Sequence, residues 1–194
     1  MMQSVTSSSF VLGYRGGDRE SGLRILTGAD AEAFSHRDYG WLGPGIYFWE
    51  NDLPKAREWA VGKSKRNGEP ITPFVLGAVI NLGNCLDLTN SENMELLKMA
   101  YEDMRVAGID LPQNRSVQYG TKDRTLRYLN CAVIRHLHGL IGEMGEAPFD
   151  TVRGMFVEGE EGIPNDSPFE SNVHAQIAVY NPACIKGFFL PRSM

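Results

Sequence analysis

The nine residues from Phe74 to Leu82, FVLGAVINL, are apolar nearly throughout and are stopped by Gly83. A short run of this kind predicts a strand buried on both faces, not one with a wet side. Such a strand needs a core, and a chain of 194 residues is long enough to bury one within a single domain spanning 1–194. With 42% hydrophobic and 22% charged residues, the composition excludes disordered and fibrous classes. No apolar run approaches the roughly 20 residues of a membrane span. The opening MMQSVTSSS has neither the basic nor the apolar part of a secretory signal. Cys85, Cys131 and Cys184 are odd in number and scattered, which argues against a disulfide framework or a cysteine zinc site. Together these features predict a cytoplasmic protein that is neither inserted in nor attached to a membrane. The net charge of −5 does not make the whole molecule a magnet for nucleic acid.

Around that strand the pattern is mixed. Strands are predicted at Phe10–Arg15, stopped by Gly16-Gly17, at Gly45–Trp49, at Gly154–Glu158, at Val173–Tyr180 and at Ile185–Leu190. Helices are predicted at Thr27–Ser35 with Asp30 as cap, and at Pro54–Arg66 with Asn51 or Asp52 as cap. Two more are expected from Thr89/Glu92, a capping-box spacing, to about Ala107, and from Arg124 to Leu140. Strands at both ends with helices mostly between them give an α+β domain, unlike the regular alternation of a dinucleotide-binding sheet.

Three motifs carry chemistry. Tyr14-Arg15-Gly16-Gly17 ends a strand in glycines, where a ligand can approach the backbone. Leu42-Gly43-Pro44-Gly45-Ile46-Tyr47-Phe48-Trp49 puts Tyr47 and Trp49 on one side of a strand, and a tyrosine facing a cleft offers a stacking surface. In Val173–Tyr180, Val173, Ala175, Ile177 and Val179 alternate as the buried face, leaving His174 and Gln176 side by side on the other. Each has a plainer reading: a surface arginine, a core tyrosine with a satisfied hydroxyl, a solvated sheet face.

In this order the motifs resemble the ADP-ribosyltransferase superfamily. GPGIYFWENDLPKAREWA is similar to the GxGIYF segment and following helix of the poly(ADP-ribose) polymerase and diphtheria-toxin branch. Arg15 stands where that branch has histidine and resembles the arginine-type toxins. The stretches FVLGAVINLGNCLDL and DTVRGMFVEG look like those of uncharacterised bacterial members. The resemblance implies a split β-sandwich with helices packed around it and NAD bound as substrate, without a metal, in its central cleft. Tyr14, Arg15, Gly16, Gly45, Tyr47 and Gln176 would line the cofactor site, with Tyr47 stacked on the nicotinamide. Gln176 falls at the position of the family's catalytic glutamate, and His174 at the position two before it that engages the acceptor. The catalytic set would be Arg15, Tyr47, His174 and Gln176. The loop Glu158–Glu170, with Glu158, Glu160 and Glu161, would recognise the acceptor.

The glutamine changes the chemistry. Cleaving the nicotinamide–ribose bond develops positive charge on the sugar, much as in glycoside hydrolysis. A carboxylate stabilises that charge; a carboxamide holds the same hydroxyl without it, a loss on the order of a hundredfold in rate. Three readings stand: a mono-ADP-ribosyltransferase with His174 as general base, a domain that binds NAD or ADP-ribose without transfer, and a protein-interaction module on the same scaffold. The macromolecular acceptor, protein or nucleic acid, is not named by any residue. Lys55, Arg57, Lys63, Lys65 and Arg66, with Arg124, Arg127 and Arg135, form either a phosphate-tracking patch or a solvated face. A bacterial toxin or defence effector held in check by an inhibitory partner protein fits so short a chain. His136 and His138 lack acidic companions at zinc spacing, and no GxSxG, P-loop or Rossmann fingerprint occurs.

Overall fold

The computed structural model of the chain describes residues 9–31, 36–66, 71–116, 125–157 and 173–192. In chain order the elements are β1 (Phe10–Asp18), α1 (Arg19–Leu26), β2 (Ile46–Glu50), α2 (Leu53–Arg66), β3 (Pro73–Asn81), β4 (Cys85–Asp87) and α3 (Ser91–Val106). They continue with β5 (Arg115–Ser116), β6 (Thr125–Leu126), α4 (Tyr128–Glu143), β7 (Thr151–Val157), β8 (Val173–Val179) and β9 (Ile185–Phe189). The fold is α+β, with a seven-stranded mixed sheet in the order β4-β7-β8-β2-β1-β3-β9 and β5-β6 as a separate small ribbon. All neighbours in the large sheet are antiparallel except β4 and β7. No helix among the described residues is long and apolar enough to cross a membrane.

The apolar run at β3 takes the expected place, between β1 and β9, with Leu76, Ala78 and Ile80 buried. Alternation along each strand separates the core in two. On one face Leu86, Val152 and Ala178 join Met104 of α3 and Ile134, Leu137 and Ile141 of α4. On the other, Ile46, Phe48, Ala78, Ile80, Ile177 and Val179 form a second cluster. Fully burying a side chain the size of Phe48 contributes about 1.5–3 kcal/mol.

Two expectations are corrected. No helix starts at Thr27: α1 lies eight residues earlier, because Asp18 caps it by accepting from the amides of Glu20 (2.9 Å) and Ser21 (3.3 Å). At Gly22 the helix presses on the Phe74 ring, where an added Cβ would collide with it. Asp30 instead pairs with Arg24 through two hydrogen bonds of 2.6 and 2.9 Å. The second correction is at β8. It sits between β7 and β2 and is buried from Gln176 to Val179, so its His174/Gln176 side is not a solvated face. The sequence alternation is real, but a central strand under helices has no wet side.

Burial also acts on α4. His138 stacks on Tyr180 at 4.2 Å and meets Phe149 edge-on, and its Nε2 is buried with no hydrogen-bond partner among the described residues. That burial pushes the imidazole down to about 4. The unfolded chain therefore takes up a proton below about pH 6.5 while the folded chain does not. Stability is complete above that value and is lost as pH falls toward 4, by on the order of 2 kcal/mol once partial exposure is allowed for. Urea titrations at several pH values should show His138→Phe matching or exceeding the wild type near neutrality and exceeding it clearly at pH 5.

Candidate functional site

The three motif strands β1, β2 and β8 lie side by side, although they are drawn from residues 10 to 179. Their registers align one row across the sheet: Tyr14 opposite Trp49, Trp49 opposite Gln176, and Gln176 opposite Gly154 of β7. Directly opposed residues share a face, so Tyr14, Trp49 and Gln176 point the same way. The next row along β8 pairs His174 with Phe156.

The side chains over these rows are polar and aromatic together. The indole of Trp41 crosses Gly154, where an added Cβ would come within 2.8 Å of the ring, and its Nε1–H donates to Gln176 Oε1 at 2.7 Å. Gln176 is only 9% exposed, and the indole satisfies its carbonyl. Trp49 is ringed by Trp59 (6.2 Å), Phe156 (6.2 Å) and His174 (5.7 Å), all edge-on, with Lys55 Nζ 5.9 Å from its ring centre. An ammonium over an indole face is attracted by the ring quadrupole. Lys55 also pairs with Glu58 at 3.0 Å.

His174 is held from the other side. Its Nδ1 lies 2.7 Å from Asp52 Oδ2, and Asp52 Oδ1 accepts from the Lys55 amide at 2.9 Å, capping α2. Asn51, in the left-handed region at φ 52, turns the chain sharply after β2 and so brings Asp52 back over β8. A carboxylate oxygen only accepts, so in the neutral imidazole this contact is made with the proton on Nδ1, which leaves Nε2 as the acceptor of the ring.

Of the residues singled out from the sequence, Tyr14, Gln176 and His174 stand on this face. Tyr47 shares it one row away, opposite Ala178, but its hydroxyl is used locally: it donates to Gly43 O at 2.6 Å and accepts from Leu42 N at 3.0 Å. Burial pushes that phenol well above its ordinary value, and its role is to pin the turn that carries Trp41. Gly45, at φ 145, sits against the Val179 carbonyl.

Arg15 does not join the row. It pairs with Leu76, one position from Tyr14, and alternation sends it to the face of Leu76, Ala78 and Ile80. Gly16 does lie on the Gln176 face, but its close approach is to the backbone of Ala56 and Ala60 in α2. Lys55 is buried, which removes it from any solvated basic patch, and Arg135 donates to the His36 carbonyl at 3.0 Å. Glu158, Glu160 and Glu161, with Arg124, lie outside the described residues.

In the sequence Asp52 reads as a helix cap and Lys55 as surface charge, and nothing local gives Trp41 or Phe156 a role. One signal was available: all three tryptophans fall between 41 and 59. A groove of about 530 Å³ between α3 and α4, lined by Tyr128, Arg135 and His136 among others, contains none of the motif residues. Functional chemistry is better sought at the row, where the polar groups converge. No group of three or more His, Cys, Asp or Glu able to hold a metal occurs among the described residues.

No protein-family model matches the chain. It is similar to an uncharacterised protein of Methanocaldococcus jannaschii, 25% identical over 197 aligned positions that cover 89% of this chain and 83% of that protein. No solved structure matches.

Proposed function

We propose that the chain is a mono-ADP-ribosyltransferase of the superfamily its motifs resemble, cleaving the nicotinamide–ribose bond of NAD and passing ADP-ribose to a macromolecular acceptor. One observation carries the reading. Three motifs scattered along the sequence occupy three adjacent strands, with Tyr14, Trp49 and Gln176 in one row and His174 beside it. A split β-sandwich is supported by the join between β1 and β2. Only Gly13↔Glu50 and Tyr14↔Trp49 pair there, against nine pairs between β1 and β3. The second core cluster draws on strands from both sides of that join, as a sheet folded over at a seam would.

In this reading the bond from ribose C1′ to the pyridinium nitrogen breaks with its electron pair going to nicotinamide. Gln176 holds the ribose 2′-hydroxyl through its amide. Trp59, 45% exposed beside the buried Trp49, offers a π-face to a cationic ring or sugar, an attraction of about 0.5–1 kcal/mol at an exposed site. With no carboxylate at Gln176, turnover is slow. Arg15, on the opposite face, has no part in the step.

Nicotinamide release from NAD by the purified chain is the test. The wild type should release it, Gln176→Ala should not, and Gln176→Glu should accelerate it about tenfold or more by restoring charge at the developing cation. The Trp41 bond to Gln176 favours a second outcome, binding without transfer, which would appear as an NAD-induced rise in melting temperature with no nicotinamide. A chain that shows neither nicotinamide release nor an NAD-induced shift ends the proposal.

A further inference from the structure

His174 and Asp52 come from elements 122 positions apart, yet they meet at 2.7 Å in a part-buried site walled by Trp49. A helix cap alone would not need the histidine. Asp52 already accepts from the Lys55 amide through Oδ1, and its second oxygen is the one turned to the ring. The side chains at 174 and 176 share a face and lie about 7 Å apart along the strand, at about 3.3 Å per residue. A ribose held at its 2′-hydroxyl by Gln176 would thus lie on the same face as His174, one strand repeat away.

We propose, resting on the transferase reading, that His174 is the general base of the transfer step and Asp52 its positioning residue, and that the acceptor is a hydroxyl. With Nδ1–H committed to Asp52, the Nε2 lone pair is available toward the sugar. As the C1′–N bond breaks, the acceptor oxygen bonds to C1′ and its proton moves to Nε2. The imidazolium so formed lies against the Asp52 carboxylate and returns the proton to solvent. NAD and an alcohol thereby give nicotinamide, the ADP-ribosyl O-glycoside and one proton. A hydroxyl needs this help because it is a poor nucleophile until it is deprotonated, whereas a carboxylate acceptor arrives already charged.

Asp52→Asn separates positioning from folding. Asparagine is as good a helix cap as aspartate, and its oxygen stays with the Lys55 amide. The introduced N–H donors then face Nδ1 and move the ring proton to Nε2, removing the base. With NAD and water, and with methanol added as a probe alcohol, Asp52→Asn and His174→Gln should each lower product formation about a hundredfold. Both variants should keep the NAD-induced thermal shift. Nitrogen NMR of the ring should show Nδ1 protonated in the wild type and Nε2 protonated in Asp52→Asn. His136→Gln, which breaks the other His–Asp contact of 2.7 Å between α3 and α4, should leave the rate unchanged. The inference falls alone if the wild type turns over NAD while Asp52→Asn does so equally well. It also falls alone if Asp52→Asn loses NAD binding together with rate, if the wild-type proton sits on Nε2, or if methanol yields no adduct. A wild type that neither binds nor cleaves NAD removes this inference and the transferase reading together.

Discussion

Gly16→Ala should destabilise the protein by about 3 kcal/mol or more, the upper range for forcing atoms into a filled space. For a chain of this size that is a fall of about 6–12 °C in melting temperature. A Cβ at Gly16 would run into the carbonyl oxygen of Ala56 and come within 2.8 Å of the Ala60 amide nitrogen. Both obstacles are helix backbone, which cannot rotate aside as a side chain would. Ala56 and Ala60 are themselves fully buried, so β1 and α2 meet through three small residues. The added methyl would lift α2 and with it Asp52, Lys55 and Trp59, so the His174 contact should weaken as well. Gly17→Ala is the matched control. Nothing lies within 4 Å of its Cβ position, and that variant should be neutral or more stable by about 0.5 kcal/mol. Urea unfolding of the two variants should therefore give shifts that differ in size by several-fold, and equal shifts would contradict the packing described.

Arg153→Met should cost about 2–4 kcal/mol. Arg153 stands on β7 and reaches across β8 to Glu50 on β2, with contacts of 2.5 and 3.3 Å, and also holds Asp87 of β4 at 2.9 Å. Glu50 is only 8% exposed, so removing the guanidinium strands a buried carboxylate. Breaking such a pair costs about 3–5 kcal/mol when both partners are deeply buried, and somewhat less here because Arg153 and Asp87 keep some contact with water. Burial by itself would raise the Asp87 carboxyl. Hydrogen bonds from the Thr89 hydroxyl and amide and from Arg153 outweigh it and bring the group below its ordinary value. Its contribution is thus present above about pH 3.9, the unfolded value, and is lost as pH falls through the lower folded value. In Arg153→Met the deficit relative to the wild type should be largest near neutrality and should shrink as pH falls through the folded value of Asp87, where the wild type loses the same interaction. Adding Glu50→Leu should recover part of the lost stability, because the stranded charge is then removed.

Much of the sheet could be read from residue types. β3 declared itself by an unbroken apolar run, and β8 by strict alternation from Val173 to Val179. Local chemistry was less reliable where two caps competed: Asp18 and Asp30 are both good cap residues, and contacts between α1 and β3 settled the choice. The candidate site was legible only as types in order. His174, Gln176, Tyr47 and Arg15 could be named, but whether they meet depends on register, and one step along β1 was enough to put Arg15 on the other face.

The sequence by itself determined the α+β class, the longer strands but not β4 or the β5-β6 ribbon, and the polar residues in the central strands, because periodicity and turn chemistry act over a few neighbours. The tertiary structure alone decided which of those residues share a surface. Asp52 became the partner of His174, and Trp41 that of Gln176, across 122 and 135 positions of chain. No local pattern encodes such distances, since they follow from strand order and register, which are set by how the whole core packs.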